Sequence, residues 1–375
     1  MKILVNALSA SSGGIATYTK NLAHSFLSRK LDSIFAVSNN FELEEGVPTI
    51  RFSANRMPPI KRFFWEQSVW RMIVKKYKPD VLFSSANFGL IFSPVSQILL
   101  MREGGLFDPF YLSNIGPSLS MSKLAQRIAR RKLILASARA SKIIMTPSNA
   151  AKTLLVAADK SLESRIIINK YGTNTKLFSH PANRKELKKD ERLNLLYVSV
   201  YYPHKITGII SEAVAQLNAK GIETHLSITM NLDQIQNTAG GEKDFIILKK
   251  GIERNQVTLL GTVSYTDLPS IYAQHDLFVF PSISETFGHP LVEAMSMGLP
   301  VIASDTSIHR EVCKDSAVYY SPFSISDLTQ KIMELHLNKT KYAILSENGI
   351  KNSRKNFLWE KHVDRLISIM ENSSN

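Results

Sequence analysis

LFVFPSISETFGHPLVEAMSMGLPVIAS, residues 277–304, is the stretch that decides the fold class of this chain. Its opening apolar run ends at Pro281, which predicts a buried strand followed by a loop. Residues 289–297 predict a short helix, because Pro290 suits a first helical turn and Gly298 suits a helix end. The closing VIAS predicts the next strand. In such a unit, the strand end and the helix N-terminus together form a crevice that favours anions.

Two glutamates lie at this predicted crevice. Glu285 precedes the helix, where the backbone N–H groups of Phe287, Gly288 and His289 are predicted to hold a phosphate. Glu293 lies one turn inside the helix, where a carboxylate can accept both hydroxyls of a ribose. The alternative is that Glu285 only caps the helix and Glu293 is a solvated helix position. The apolar residues around Glu293 count against this alternative, because an unpaired buried carboxylate is costly.

The residues Ser-x-x-Glu-x-Phe-Gly (282–288), followed by Leu-Val-Glu-Ala-Met-x-x-Gly-x-Pro-Val-Ile-Ala-Ser (291–304), resemble the donor-site signature of retaining glycosyltransferases of family 4. Glu285 and Glu293 match the two glutamates of the family's E-x7-E motif. The resemblance implies an α/β chain of the GT-B fold, in which two Rossmann-like domains face a central cleft. It further implies a hexosyltransferase-type enzyme that binds a nucleoside-diphosphate sugar in that cleft.

The resemblance also assigns the donor side of the site. Lys205 matches a family lysine that contacts the donor phosphates, whereas Val200 stands where the family has an arginine. His204 or a basic residue of the first domain would then supply the missing contact, although His204 could equally be a structural imidazole and Lys205 a surface lysine. We therefore assign Glu285 and Lys205 as catalytic residues. The predicted donor-binding residues are Gly13, Gly14, His204, Thr286, Phe287, Gly288 and Glu293.

The acceptor side departs from the family pattern. Many members carry a histidine after the strand that corresponds to residues 98–101, but this chain continues with Arg102-Glu103-Gly104-Gly105. Arg102 and Glu103 are therefore the predicted acceptor-side residues, and the alternative is a salt-bridged loop pair. The stretch His309-Arg310-Glu311 matches a family segment and is predicted to be structural.

The predicted reaction needs little acid–base machinery. A departing nucleoside diphosphate gains negative charge, which Lys205 and helix N–H dipoles would stabilise if they already point at it. Glu285 would bind hydroxyls of the donor sugar or lie near the anomeric centre. No Asp-x-Asp motif stands in a suitable position, so the sequence predicts catalysis without a metal site or cofactor. Retention of configuration is what the family resemblance implies.

The length of 375 residues allows two α/β domains with their own cores. We predict an acceptor-binding domain at 1–182 and a donor-binding domain at 183–356, with a linker at 181–192. By the family resemblance, a helix at about 357–375 packs back on the first domain. The loop 9–14 is predicted to end at the two glycines, with a helix at 15–27. The principal predicted strands are 2–6, 34–37, 81–84, 98–101, 143–146, 165–169, 193–200, 224–228, 257–260, 277–280 and 301–303.

The excess positive charge lies in the first half of the chain. Residues 1–180 carry 25 Lys or Arg and 10 Asp or Glu, whereas residues 181–375 carry 21 and 22. Two segments concentrate it: 51–78, which also holds Phe63, Phe64, Trp65 and Trp70, and the acid-free stretch 109–158. Such segments predict basic amphipathic helices on an anionic membrane. The alternatives are core packing of the aromatic stripe Trp65, Val69, Ile73 and Tyr77, a solvated face, and nucleic-acid binding, against which no binding module is present.

Composition and motifs together predict the cellular role. No apolar run reaches transmembrane length, and a single cysteine, Cys313, fits a reducing cytoplasm. We predict a cytoplasmic enzyme, peripheral on the inner face of the cytoplasmic membrane, that passes a sugar to a saccharide or lipid-linked acceptor in polysaccharide or lipopolysaccharide assembly. The alternatives are a catalytically idle nucleotide-sugar-binding or scaffold protein, a sugar-nucleotide epimerase, or a glycogen-type synthase. UDP and GDP donors share the motifs named above.

Overall fold

The computed structural model forms two compact units. The first unit comprises residues 1–107, 120–170 and 360–375, and the second comprises 108–119 and 171–359. The predicted boundary after residue 182 and most of the predicted linker lie outside the described residues. The structure describes residues 1–11, 13–53, 57, 59–115, 120–180 and 191–374.

The first unit is built on a parallel sheet of seven strands in the order β3-β2-β1-β4-β5-β6-β7, as the described residues show. Its register places Ile3 of β1 opposite Ser33 of β2 and Val81 of β4. The central strands are buried on both faces, which explains their nearly continuous apolar sequence. The strands are β1 Ile3–Asn6, β2 Ser33–Ser38, β3 Thr49–Phe52, β4 Val81–Ser84, β5 Ser96–Leu100, β6 Ile143–Thr146 and β7 Ile166–Ile168.

The second unit has a parallel sheet of six described strands in the order β10-β9-β8-β11-β12-β13. Leu277 of β11 pairs with Leu195 of β8, and Phe278 pairs with Val301 of β12. In both sheets the strand order reverses direction beside the strand that comes first along the chain, which is β1 in the first unit and β8 in the second. The loops at that reversal are where such sheets bind ligands. The strands are β8 Leu193–Tyr197, β9 Thr224–Ile228, β10 Val257–Leu259, β11 Leu277–Phe280, β12 Val301–Ser304 and β13 Ala317–Tyr320.

Helices alternate with the strands along the chain, as a doubly wound fold requires. A π-helical turn, Glu66–Trp70, joins α2 to α3, and 3₁₀ turns occupy Lys160–Arg165, Pro203–Lys205 and Lys314–Ser316. The helices are α1 Gly13–Ser28, α2 Pro59–Trp65, α3 Arg71–Tyr77, α4 Pro109–Ile115, α5 Met121–Arg139, α6 Asn149–Ala158, α7 Gly208–Ala219, α8 Leu232–Gln236, α9 Glu242–Glu253, α10 Leu268–Ala273, α11 His289–Ser296, α12 Ser307–Cys313, α13 Ile325–Leu337, α14 Lys339–Asn356 and α15 Trp359–Ser374. Among these described helices, none is both long and apolar enough to cross a bilayer.

The predicted strands are present, four of them with identical ends and the others with ends shifted by at most three residues, and two further strands were missed. Both missed strands, β3 and β13, are four residues long and at a sheet edge, although the edge strands β7 and β10 were predicted. The prediction that α1 starts after the glycines was wrong. The helix begins at Gly13. The φ of this residue is 64°, a left-handed conformation that glycine adopts without a steric cost. A glycine can stand here because the first N–H groups of a helix need no intrahelical partner.

The last helix, α15, belongs to the first unit from Glu360 onward. His362 is fully buried there, and its Nδ1 lies 3.0 Å from the carbonyl oxygen of Lys170. Nδ1–H donates to that carbonyl, so Nε2 accepts from the Tyr18 hydroxyl at 3.1 Å. Asn169 donates to the backbone oxygen of His362 at 3.2 Å. These bonds tie α15 to α1 and to the segment that follows β7.

In the second unit, the chain leading out of Tyr171 is held against the segment before α15. Thr173 forms an isolated parallel bridge with Leu358, and its backbone N–H donates to Phe357 O at 2.8 Å. Gly172 lies so close to this segment that a Cβ would overlap the backbone of Trp359 and Leu358. Only glycine fits at this crossing.

We expect Gly172→Ala to destabilise the second unit by more than about 2 kcal/mol, because backbone atoms must shift to admit a methyl group. Calorimetric unfolding measures this change. Gly221→Ala is the control, since nothing lies within 4 Å of its Cβ and only its φ of 80° is unfavourable. The control is expected to lose about 1 kcal/mol or slightly more. Equal losses for the two variants would contradict the steric explanation.

Candidate functional site

The loop between β11 and α11 is shaped by Gly288. This glycine precedes α11 with φ 88° and ψ 64°, a left-handed conformation that other residues adopt at a cost. A Cβ there would also lie 2.9 Å from Leu291 Cδ1. The glycine therefore lets the chain turn sharply into the helix, which places the start of α11 at the carboxyl end of β11.

Glu285, in this loop, forms an ion pair with Lys205, which ends the 3₁₀ turn after β8. The two side chains are only 15% and 12% exposed, and the Lys205 ammonium also lies 5.5 Å from the centre of the Phe280 ring. The two loops are joined through the backbone, since Ile283 N–H donates to His204 O at 3.0 Å. Lys205 is therefore a largely buried, fixed cation and not a surface lysine.

The ionisation of Glu285 is set by opposing effects. Burial alone would raise the pKa of Glu285, but the positive charge of Lys205, the nearby His204 and hydrogen bonds from Lys205 and Ser282 outweigh it. The pKa of Glu285 is accordingly below its ordinary value of 4.5. At neutral pH this side chain is an anion that can accept hydrogen bonds from sugar hydroxyls.

His204 is surrounded by aromatic rings. Its imidazole is stacked on Tyr202, with centroids 5.7 Å apart and planes 12° apart, and meets the edge of Tyr111 at 5.6 Å. Tyr111 lies on α4, which is distant in sequence but belongs to the second unit. The structure thus places His204 beside Lys205 and also gives it the packing of a structural imidazole.

Glu293 is buried inside α11 and retains 5% exposure. The hydroxyl of Tyr272 donates to its Oε2 at 3.0 Å. Burial raises the pKa of Glu293 to about 7, although the bond from Tyr272 acts in the opposite direction. The alternative of a solvated helix position is therefore wrong, and nothing in the sequence pointed to Tyr272 as the partner.

The start of α11 is supported by aromatic packing. His289 is stacked on Tyr171 with ring centroids 4.8 Å apart, and Phe287 meets both rings edge to face at 5.2 and 5.3 Å. The Phe287 ring is buried and also contacts Phe357 at 5.5 Å. The side chain of Phe287 thus fixes the loop, while Thr286 beside it is half-buried.

His309 is buried behind the loop, as its predicted structural role requires. Its Nδ1 lies 2.8 Å from Ser304 O, and the Ser304 hydroxyl donates to Ser282 O. Burial lowers the pKa of His309 to about 4, so the ring is neutral at physiological pH. The arrangement connects the end of β12 to the first residue of the Glu285 loop.

In the first unit, Gly14 and Arg102 lie together. A Cβ on Gly14 would lie 3.8 Å from the Arg102 guanidinium, which is 5.1 Å from the centre of the Tyr18 ring. Glu103 forms its ion pair with Arg130 of α5 at 3.1 Å. The structure thus groups Gly13, Gly14 and Arg102 at the start of α1, and directs Glu103 to a different partner.

The site residues fall into two groups, one in each unit. Lys205, Glu285 and His204 come together beside the start of α11, which also carries Glu293. Within the described ranges, no group of three or more His, Cys, Asp or Glu side chains could hold a metal ion. The second-unit group combines a fixed cation and an ionised carboxylate beside the start of a helix, which suits a ligand that carries both phosphate and hydroxyl groups.

The raised pKa of Glu293 predicts a pH-dependent stability. The folded protein holds the Glu293 proton more tightly than the unfolded chain does, so the free energy of unfolding falls as pH rises from about 4.5 to about 7. Glu293→Gln removes this loss, and we expect it to be more stable than wild type by about 2–4 kcal/mol at pH 8 but not at pH 4.

Thermal unfolding at pH 4, 6 and 8 measures the difference. Glu347→Gln is the matched control, because the Glu347 side chain is 65% exposed. This substitution should change the unfolding temperature by the same amount at each of the three pH values. A constant difference between Glu293→Gln and wild type across this range would contradict a buried, uncompensated carboxylate.

The sequence and fold were compared with known proteins. Residues 179–352 match the family model described as "Glycosyl transferases group 1". The "O-antigen chain mannosyltransferase B" of Escherichia coli is 30% identical over 131 residues, which is 34% of this chain and 34% of that protein. The chain thus spans about a third of the length of this curated relative.

Solved structures match the whole chain at low sequence identity. The sucrose-phosphate synthase of Thermosynechococcus elongatus has a TM-score of 0.79 at 17% identity and covers 99% of both chains. Anabaena Alr3699/HepE, solved in complex with UDP and glucose, has a TM-score of 0.73 at 17% identity and covers 99% of both chains. With its two parallel-sheet, Rossmann-like halves, the chain has the predicted α/β, GT-B fold, and these likenesses show the fold alone.

Proposed function

Because residues 179–352 belong to the family of glycosyl transferases group 1, we propose that this protein is a retaining, metal-independent hexosyltransferase. It moves a sugar from a nucleoside diphosphate to a saccharide or lipid-linked acceptor in polysaccharide or lipopolysaccharide assembly. The name of the O-antigen mannosyltransferase relative supports this class of acceptor. The UDP and glucose in the HepE structure support a nucleotide-sugar donor.

The observation that carries the proposal is the buried Lys205–Glu285 pair at the start of α11. Buried ion pairs contribute little to stability on average, so such a pair beside a helix N-terminus is better explained by ligand binding. Lys205 has three N–H donors, and Glu285 takes one of them. The remaining donors of Lys205 would face the diphosphate of a donor.

In the proposed reaction, the bond between the sugar's anomeric carbon and the diphosphate oxygen breaks, and its electron pair leaves with the diphosphate. The positive charge of Lys205 stabilises that negative charge. The acceptor oxygen forms the new bond on the same face of the sugar, and its proton passes to the departing phosphate. Glu285, ionised at neutral pH, accepts hydrogen bonds from the donor sugar and holds it in place.

The proposed site predicts distinct kinetic effects for its members. Lys205→Gln should lower kcat by about 10²-fold or more, since its charge acts on the leaving group. Glu293→Ala should chiefly raise KM for the donor, because it removes contacts to the ribose. Release of UDP or GDP from a panel of nucleotide sugars measures both, with acceptor oligosaccharides present.

The exposed Lys249 provides the control variant, Lys249→Ala, which should keep wild-type rates. Unfolding temperatures of all variants identify any loss that comes from misfolding. If wild type binds nucleotide sugars but turns none over, the idle binding protein is the better conclusion. Turnover of the sugar nucleotide to an isomer without transfer would favour the epimerase alternative.

The first unit further supports binding to an anionic membrane. On α5, the apolar side chains Met121, Leu124 and Ile128 are 80%, 39% and 50% exposed and share one helix face. Arg131, half-buried, and Lys132, exposed, lie beside them, within about one turn of Ile128 on the same side of the helix. We call these five residues the α5 surface. Exposed apolar residues between basic ones are typical of helices that lie in a lipid headgroup region.

The aromatic residues of segment 59–77 have two explanations, core packing and membrane contact, and each applies to different side chains. Trp65 and Ile73 pack against the core around Trp70, as the core alternative predicts. Phe64 and Met72 are instead 66% and 61% exposed, and Lys61, Lys75 and Lys76 are exposed near them in sequence. We propose that this exposed set and the α5 surface hold the enzyme on the inner face of the cytoplasmic membrane, where a lipid-linked acceptor would be found.

Flotation with liposomes tests the membrane proposal. Leu124→Ser/Ile128→Ser should bind vesicles of phosphatidylglycerol and phosphatidylcholine about tenfold more weakly than wild type, with smaller binding at high salt for both. Ile246→Ser in the second unit is the control, because Ile246 is 53% exposed and lies outside the proposed surface. Equal binding to neutral and anionic vesicles, or binding to nucleic acid in their place, would contradict this proposal.

A further inference from the structure

Tyr272 lies on α10, in the segment before β11, and is fully buried. Its hydroxyl is 3.0 Å from Glu293 Oε2 and 3.4 Å from the carbonyl oxygen of Pro290. A phenol has a single proton, and the nearer carboxylate is the stronger acceptor. The proton is therefore directed to Glu293, one turn inside α11.

The Tyr272 ring has little room to move. The ring of Phe278 lies 5.7 Å away at 50°, and that of Phe178 lies 6.0 Å away at 75°. Both neighbours are fully buried. The hydroxyl is thus fixed by packing, so the hydrogen bond to Glu293 costs little additional ordering.

This bond leaves Glu293 with one oxygen committed and one available. Among the described residues, Tyr272 is the single hydrogen-bond donor to this carboxylate, through Oε2. A buried carboxylate with one donor is poorly compensated. The raised pKa of Glu293 agrees with this deficit. Hydroxyl groups of a ligand would supply the missing donors to Oε1.

We propose that Tyr272 is a positioning residue that holds the Glu293 carboxylate with Oε1 directed to the ribose hydroxyls of a nucleoside diphosphate. The inference rests on the proposed donor site and extends it to a residue that touches no substrate. Tyr272 fixes which oxygen meets the ribose and in what direction. Selectivity for a ribonucleotide over its 2′-deoxy analogue would then depend on Tyr272 as well as on Glu293.

Titration calorimetry with UDP, GDP and their 2′-deoxy analogues tests this role. Tyr272→Phe removes one hydroxyl and keeps the ring. We expect it to weaken binding of the preferred ribonucleotide about three- to tenfold and to leave the 2′-deoxy analogue almost unchanged. In turnover assays, KM for the donor should rise while kcat stays near wild type.

Two further variants make the test specific. Tyr342→Phe is the matched control, since it also removes a hydroxyl that donates a hydrogen bond, to Asp276 O at 2.9 Å, and should leave selectivity unchanged. In a Glu293→Ala background, Tyr272→Phe should have no further effect on selectivity. Unfolding temperatures confirm that each variant is folded.

The outcomes separate the two proposals. Equal weakening of the ribonucleotide and its analogue, or no weakening at all, would overturn the role of Tyr272 and leave the donor site standing. If wild type binds neither UDP nor GDP, the proposed function fails and the positioning role fails with it. A selectivity loss that persists in the Glu293→Ala background would also overturn the role, because Tyr272 would then act by another route.

Discussion

The burial of two carboxylates next to one helix is the constraint on which the second unit's site depends. Glu285 and Glu293 both lose most of their contact with water, yet their pKa values move in opposite directions. A full positive charge, from Lys205, compensates Glu285. A neutral hydroxyl, from Tyr272, compensates Glu293 only in part. The contrast separates a carboxylate that is already ionised from one that gains from further hydrogen-bond donors.

Neighbouring residues maintain these two environments. Gly288 allows the turn that presents the start of α11, and the rings around Phe287 keep that turn in place. The hydroxyl of Ser304 holds the loop that carries Glu285 to the end of β12, with the neutral ring of His309 behind it. These contacts hold the loop and the helix that carry Glu285 and Glu293. They do not use the carboxylate oxygens of either residue, so they do not compete with a ligand for hydrogen bonds to those oxygens.

The first unit has a different composition because its surface has a different task in the proposed function. Basic residues of the N-terminal half are partly used within the fold: Arg62 donates to Glu66 and to Ser9, and Arg130 pairs with Glu103. The charge excess therefore overstates the number of freely presented cations. The apolar side chains exposed on α5 support the proposed membrane-facing surface over a merely solvated one.

The sequence by itself determined the α/β class, the alternation of strands and helices, and the strand–loop–helix unit around Glu285 and Glu293, because these follow from short-range patterns of apolar residues, glycine and proline. Its family resemblance to glycosyltransferases was confirmed by the match over residues 179–352. The edge strands β3 and β13 were missed, whereas β7 and β10, which are also at sheet edges, were predicted. Only the tertiary structure decided that Lys205 pairs with Glu285, 80 residues apart, and that Tyr272 reaches Glu293, 21 residues apart. The physical reason is that burial and hydrogen-bond partners arise when distant segments pack together, whereas a linear pattern records only the preferences of neighbours.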